Sequence, residues 1–234
     1  MLTARALSKR YGAQLALDAL ELQVPAGEVF CLLGPNGAGK TTTLSLFLGF
    51  TAPSAGEAFV GDVCVARDPR AARARIAYVP EQVRLYPHLS GRENLEYFLR
   101  LSHSRVPSRA ELARHLIDAG IPEAAIDRSA DGYSKGMRQK VVLALAQARN
   151  AQVLLLDEPS SGLDPSAAEE LYASVRRQSE RGAAVLMVTH DLTSVVSSAH
   201  RLGIMRAGRL VHVCAAQGLG ETGVQALYRQ HFAA

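Results

Sequence analysis

Polar and apolar residues alternate early in the chain, with Leu20, Leu22 and Val24 set against Glu21 and Gln23. That two-residue period predicts strands with one covered face across the first thirty residues. Five consecutive apolar residues, 29 to 33, then read as a fully buried strand, and a helix is expected over 39–50. Turn formers fill 51–56, and short strands are expected at 58–60, 63–65 and 76–79. From about residue 87 to 150 the period becomes helical. Ser90 with Glu93, and Ser108 with Glu111, have capping-box spacing ahead of the apolar pairs Leu95/Leu99 and Leu112/Leu116, and Gly120 reads as a helix stop. A third helix is expected from Ser134 to about Arg149. Strands return at 152–157 and 184–189, separated by a helix that Asp164-Pro165 caps and whose inner face carries Ala168, Leu171, Tyr172 and Val175.

Apolar strands alternating with helices predict a largely parallel sheet covered on both faces. The expectation is an α/β fold: a parallel-sheet core, a small antiparallel β lobe, and an inserted α-helical subdomain. The core with its lobe takes 1–86 and 151–215, the helical insertion 87–150, and a short C-terminal tail 216–234. That tail leaves little room for a regulatory domain.

Composition narrows the class. Hydrophobic residues make up 48% and charged residues 21% of 234 positions, an ordinary globular balance. No run approaches the ~18 apolar residues of a membrane span. Arginine and lysine interrupt the first twelve residues, where a signal peptide needs an apolar stretch. A cytosolic protein is expected. The net charge of +4 comes from scattered Lys and Arg without aromatic interleaving, so no nucleic-acid partner is expected. Cys31, Cys64 and Cys214 lie far apart and read as reduced structural thiols.

The chemistry begins at Gly34-Pro35-Asn36-Gly37-Ala38-Gly39-Lys40-Thr41-Thr42, the pattern G-x-x-x-x-G-K-[ST] between an apolar strand and a helix. Glycines admit close backbone approach to oxygens, and a helix N-terminus presents N–H groups to a polyphosphate, so the α/β core is expected to be a P-loop NTPase core. Lys40 is placed to bridge the outer phosphates, and the Thr41 hydroxyl to ligate Mg²⁺. The run 153–158 ends in two carboxylates at the sheet's C-terminal edge. Asp157 suits a magnesium partner, and Glu158 a base that polarises the attacking water. His190 closes another apolar strand at the same edge, where it suits a γ-phosphate contact. Asp191 beside it suits a helix cap.

These motifs, with Tyr133-Ser134-Lys135-Gly136-Met137 lying 23 positions before Asp157 (157 − 134) and His190 33 after it (190 − 157), resemble in order the nucleotide-binding subunits of ATP-binding-cassette (ABC) transporters. The likeness extends to about residue 213. It implies an ATPase using ATP and Mg²⁺, paired as a homodimer. Separate transmembrane permease subunits would hold it on the cytoplasmic face of the inner or plasma membrane. It implies that Tyr11 stacks on adenine, that Ser134, Lys135 and Gly136 bind the γ-phosphate of the opposite subunit's ATP, and that the 161–164 loop links the two sites. Three features depart from the family pattern. The LSGGQ signature appears as YSKGM, so Lys135 replaces a glycine. Glu81 stands where a glutamine is usual, with Gln82 one residue later, so either side chain could approach the magnesium. The chain past Val213 is short. Segments 81–95 and YSKGMRQ (133–139) look like exporter-type ATPases, and the resemblance is closest to the ATPase of nitrous-oxide-reductase copper maturation. The competing readings are a soluble ABC ATPase acting on ribosomes or nucleic acid, and a P-loop phosphotransferase.

Overall fold

The computed structural model describes residues 1–102 and 105–232. Strands β1 (Leu2–Tyr11), β2 (Gln14–Val24), β4 (Ala55–Val60) and β5 (Val63–Cys64) form an antiparallel lobe in the order β2-β1-β4-β5. The second sheet holds β3 (Val29–Leu33), β6 (Ile76–Val79), β7 (Val153–Asp157), β8 (Ala184–Thr189), β9 (Arg201–Arg206) and β10 (Arg209–Ala215) in the order β10-β9-β3-β8-β7-β6. Its strands run parallel except for the β9–β10 hairpin.

The continuous apolar runs follow from burial on both faces. Along β3, Val29, Cys31 and Leu33 join one core, while Phe30 and Leu32 join another. The same alternation holds in β7, with Leu154 and Leu156 on one side and Val153 and Leu155 on the other. The first core is shared with helices α3 (Gly91–Leu101), α4 (Arg109–Asp118), α5 (Lys135–Ala148), α6 (Pro165–Glu180), α7 (Leu192–Ser198) and α8 (Gly220–Phe232). The second is shared with α1 (Lys40–Phe47), α2 (Pro69–Ala74) and the β lobe. Each fully buried Leu or Phe contributes roughly 1.5–3 kcal/mol, so both faces hold the sheet edge in place.

Both capping boxes form. Ser90 accepts from the Glu93 N–H at 3.2 Å while Glu93 accepts from the Ser90 N–H at 2.7 Å, and Ser108 with Glu111 repeats the pattern at 3.3 and 2.8 Å. Helix α1 is shorter than the expected 39–50. Gly39 holds a left-handed N-cap (φ 105), and Gly49 (φ 63) turns the chain away after Leu48, leaving Phe50 exposed.

Three elements carried no clear sequence signal. Helix α2 is six residues long, too short to show a period. The β9–β10 hairpin turns on Ala207 and Gly208, both at positive φ, and Ala-Gly lacks the Asn or Asp that marks such turns. Residues 220–232, expected as tail, form α8, whose Val224 is buried and whose Leu227 and Phe232 pack on the core.

Candidate functional site

The loop from β3 to α1 is built by close approach. A Cβ on Gly34 would lie 2.5 Å from the Met205 carbonyl oxygen, and one on Gly39 would lie 2.6 Å from the Ala16 carbonyl oxygen. Only glycine fits at either point. The Gly208 N–H donates to the Ala38 carbonyl at 2.9 Å, and the Asp18 N–H donates to the Gly208 carbonyl at 2.9 Å, tying the loop to the β9–β10 turn and to β2. Helices α2 to α7 each have a side-chain N-cap, whereas α1 has none. Its first N–H groups, lacking intrahelical partners by geometry, face the cleft with the positive end of the helix dipole.

That cleft has a volume of about 480 Å³ and is lined by Tyr11, Gln14, Ala16, the loop residues Pro35 to Thr42, Glu81, Asp157 and Glu158. Gly34 sits behind it, buried, with its carbonyl accepting from Lys40 Nζ at 2.6 Å; the Pro35 carbonyl accepts from the same ammonium at 3.2 Å. Glu158 Oε1 lies 3.8 Å from Lys40 Nζ. Burial lowers the Lys40 pKa, opposed by the negative charges of Glu158 and Asp157. Tyr11 is half exposed at the cleft rim, with Lys9 Nζ 5.0 Å from its ring centroid.

Asp157 ends β7, where burial raises its pKa and the Tyr78 hydroxyl, donating to Oδ2 at 3.3 Å, pulls it back down. Burial and the facing Asp157 push the Tyr78 phenol up to about 12, so it remains a donor. Glu158 adopts φ 45, an uncommon backbone for a non-glycine and a feature that gathers at functional sites. Its N–H donates to the Val188 carbonyl at 2.9 Å. The turn delivers its carboxylate to His190, whose Nδ1 lies 2.9 Å and whose N–H lies 3.2 Å from Oε2. The imidazole itself is largely exposed.

The structure divides the sequence candidates into two groups. The loop, Tyr11, Asp157, Glu158 and Glu81 surround one cleft, with His190 held beside it through Glu158. Of Glu81 and Gln82, only Glu81 lines the cleft. Ser134, Lys135 and Gly136 do not line it. The Ser134 hydroxyl caps α5 by accepting from the Met137 N–H at 3.2 Å, and Lys135 Nζ donates to the Ser161 carbonyl. Sequence reading missed Gln14, Ala16 and the Tyr78 hydroxyl. The last was accessible in principle: with Tyr78 registered against Leu155 on the parallel neighbour, Asp157 lies two residues farther along.

The site therefore offers a cradle for an anion and oxygen donors for a hard cation. The uncapped helix, the crowded glycines and a buried lysine fit a polyphosphate. Thr41, Asp157 and Glu81 fit Mg²⁺, which takes one or two carboxylates together with substrate phosphates rather than an all-protein cage. Among the described residues, no cluster of three or more His, Cys, Asp or Glu could hold a metal ion by itself.

A family model described as ABC transporter matches residues 17–161. The chain is 36% identical over 205 residues to the Nod factor export ATP-binding protein I of Paraburkholderia xenovorans (strain LB400), covering 88% of this chain and 67% of that protein. It is 39% identical over 208 residues to the daunorubicin resistance ATP-binding protein DrrA2 of Streptomyces coeruleorubidus, covering 89% of this chain and 65% of that protein. Among solved structures, the dimeric post-hydrolysis state of the ATP-binding cassette MJ0796 bound to ADP and Pi is similar with a TM-score of 0.80 at 25% identity, covering 93% of this chain and all 100% of that one.

Proposed function

Since this chain belongs to the ABC transporter family and is an ATPase of the ATP-binding-cassette type, we propose that it is the motor subunit of a membrane exporter in which two copies close over two ATP molecules. The observation that carries this reading is the division of the site. The cleft beside α1 holds the phosphate cradle and the carboxylates, while the capped N-terminus of α5 with Ser134 and Gly136 lies outside it. Each half is incomplete as a nucleotide site until a second copy supplies the other. ATP at such a seam contacts both subunits only when they are closed, and this differential affinity is what a ligand needs to shift a conformational population.

Within the cleft, Lys40 exchanges its bonds to the Gly34 and Pro35 carbonyls for phosphate oxygens. Tyr11 supports the base by stacking. Thr41, Asp157 and Glu81 would hold a magnesium ion, which neutralises phosphate charge when bound. Glu158 orients the attacking water and accepts its proton, while His190 holds the Glu158 carboxylate in place and faces the γ-phosphate. Removing such a preorganised group costs on the order of 10² to 10³ in turnover.

No helix among the described residues is long and apolar enough to cross a membrane. In this reading, separate permease subunits hold the motor at the membrane. The docking surface we assign is the turn after β6 with the face of α3. Leu85 packs inward on the core, while Tyr86 stays half exposed with its ring centroid 4.7 Å from that of Tyr97. Relatives of the chain are named for Nod factor export and daunorubicin resistance. Segment 81–95 suggests a narrower kinship with copper-maturation ATPases, and the readings differ in cargo. Affinity purification of the tagged chain from detergent-solubilised membranes tests the proposal: a multi-span membrane protein should copurify in stoichiometric amount and identify the cargo class. Recovery with ribosomes or nucleic acid in its place would overturn the exporter reading.

A further inference from the structure

Two departures from the family pattern, Lys135 and Glu81, meet in this structure through a third residue. Lys135 Nζ donates to the Ser161 carbonyl, and the Ser161 hydroxyl donates to Glu81 Oε1 at 3.1 Å. One turn along α5, on the same face as Lys135, the fully buried Gln139 donates from Nε2 to the Pro159 carbonyl at 2.7 Å. The loop that follows Glu158 is thus held at two carbonyls by α5, and its Ser161 grips a carboxylate that lines the ATP cleft.

We propose that Lys135, Ser161 and Glu81 form a strap within each subunit that positions the cleft carboxylates according to the state of the α5 N-terminus. The inference rests on the dimer reading above and deepens it. A cation in the first turn of a helix sits at the wrong end of the dipole, and no acidic residue occupies that turn of α5 to offset it. The Ser161 carbonyl supplies the compensating negative end. Glutamine at 81 could donate or accept; glutamate only accepts when ionised, so the Ser161 hydroxyl is committed to donating and the strap has one polarity. Glu81 and Asp157 line the same cleft, so a displacement of Glu81 alters the carboxylate set there. An anion arriving at the α5 N-terminus from the opposite subunit competes with the Ser161 carbonyl for the Lys135 ammonium. Strap tension and trans-site occupancy are therefore linked. While the strap is closed, Lys135 and Ser161 act as positioning residues, through Glu81.

The test is a double-mutant cycle on the full chain with MgATP as substrate. Lys135→Met and Ser161→Ala should each lower kcat about fivefold or more, with KM and the Kd for a fluorescent ATP analogue changed less than twofold. The double variant should be no slower than the worse single variant, and Lys135→Arg, which keeps a donor, should recover most of the wild-type kcat. Multiplying effects in the double variant, unchanged kcat in either single variant, or changes confined to KM would overturn the strap. Size-exclusion chromatography of Glu158→Gln with ATP separates this from the dimer reading. If that variant dimerises while Lys135→Met turns over normally, the strap alone fails; if it never dimerises, both fail.

Discussion

Two glycines of the phosphate loop provide an internal comparison of crowding against backbone strain. Gly37 and Gly39 both have positive φ, 79 and 105. A Cβ on Gly37 would meet nothing within 4 Å, whereas one on Gly39 would lie 2.6 Å from the Ala16 carbonyl oxygen and 2.8 Å from Met205 Cε. Gly37→Ala therefore carries only the left-handed backbone penalty of roughly 1 kcal/mol. Gly39→Ala adds a collision with β2 backbone that no rotamer change relieves, bringing the cost to about 3 kcal/mol. For a chain of this size each kcal/mol moves the melting temperature by about 2–4 °C, giving roughly 2–4 °C for the first variant and 6–12 °C for the second. Differential scanning fluorimetry without nucleotide reads the difference directly. Gly39→Ala should also tilt the first turn of α1 out of line and weaken ATP binding by about tenfold, close to 1.4 kcal/mol. Equal melting temperatures for the two variants would refute the claim that close packing against β2, rather than φ alone, dictates glycine at 39.

Other predictions concern the carboxylates. In Tyr78→Phe the Asp157 pKa should rise further, because the hydroxyl that lowers it is gone while the burial that raises it remains; the acid limb of the kcat/KM profile should move to higher pH, and an unmoved limb would detach Asp157 from catalysis. The buried Arg92 guanidinium holds Asp127 through two bonds of 2.8 and 2.7 Å and depresses its pKa. A depressed carboxylate stabilises the fold above its unfolded pKa of about 3.9 and loses that contribution as pH falls through the lower folded value. The melting-temperature gap between wild type and Asp127→Asn should therefore be full at neutral pH and close below pH ~4; a gap that persists in acid would contradict the assignment.

Legibility in the sequence followed how local the determining physics is. Ser90/Glu93 and Ser108/Glu111 announce their helices because a capping box is satisfied within four residues. The loop 34–42 is readable because glycine spacing, a lysine and the flanking strand and helix all constrain one short segment. Apolar runs such as 153–156 reveal burial on both faces, which is why the parallel sheet could be anticipated. What stayed hidden depends on tertiary placement. Nothing in the order Glu81-Gln82 says which side chain turns toward the cleft; Ser161, 80 residues later, takes hold of Glu81. The strained φ of Glu158 arises where β7 meets β8 through the Val188 carbonyl, and composition cannot encode it. Strands β9 and β10 escaped because Ala207-Gly208 makes its tight turn without the usual residues.

The central claim is that each chain carries two half-sites completed by a second copy. The Glu158→Gln variant tests it most directly, because its hydrolysis should slow by roughly 10²-fold or more while the cradle around Lys40 is intact. Light scattering of that variant should report the 25.1 kDa monomer without nucleotide or with ADP, and twice that mass with ATP and magnesium. A monomer at every nucleotide condition, from a wild-type chain that hydrolyses ATP at a rate independent of its own concentration, would contradict it.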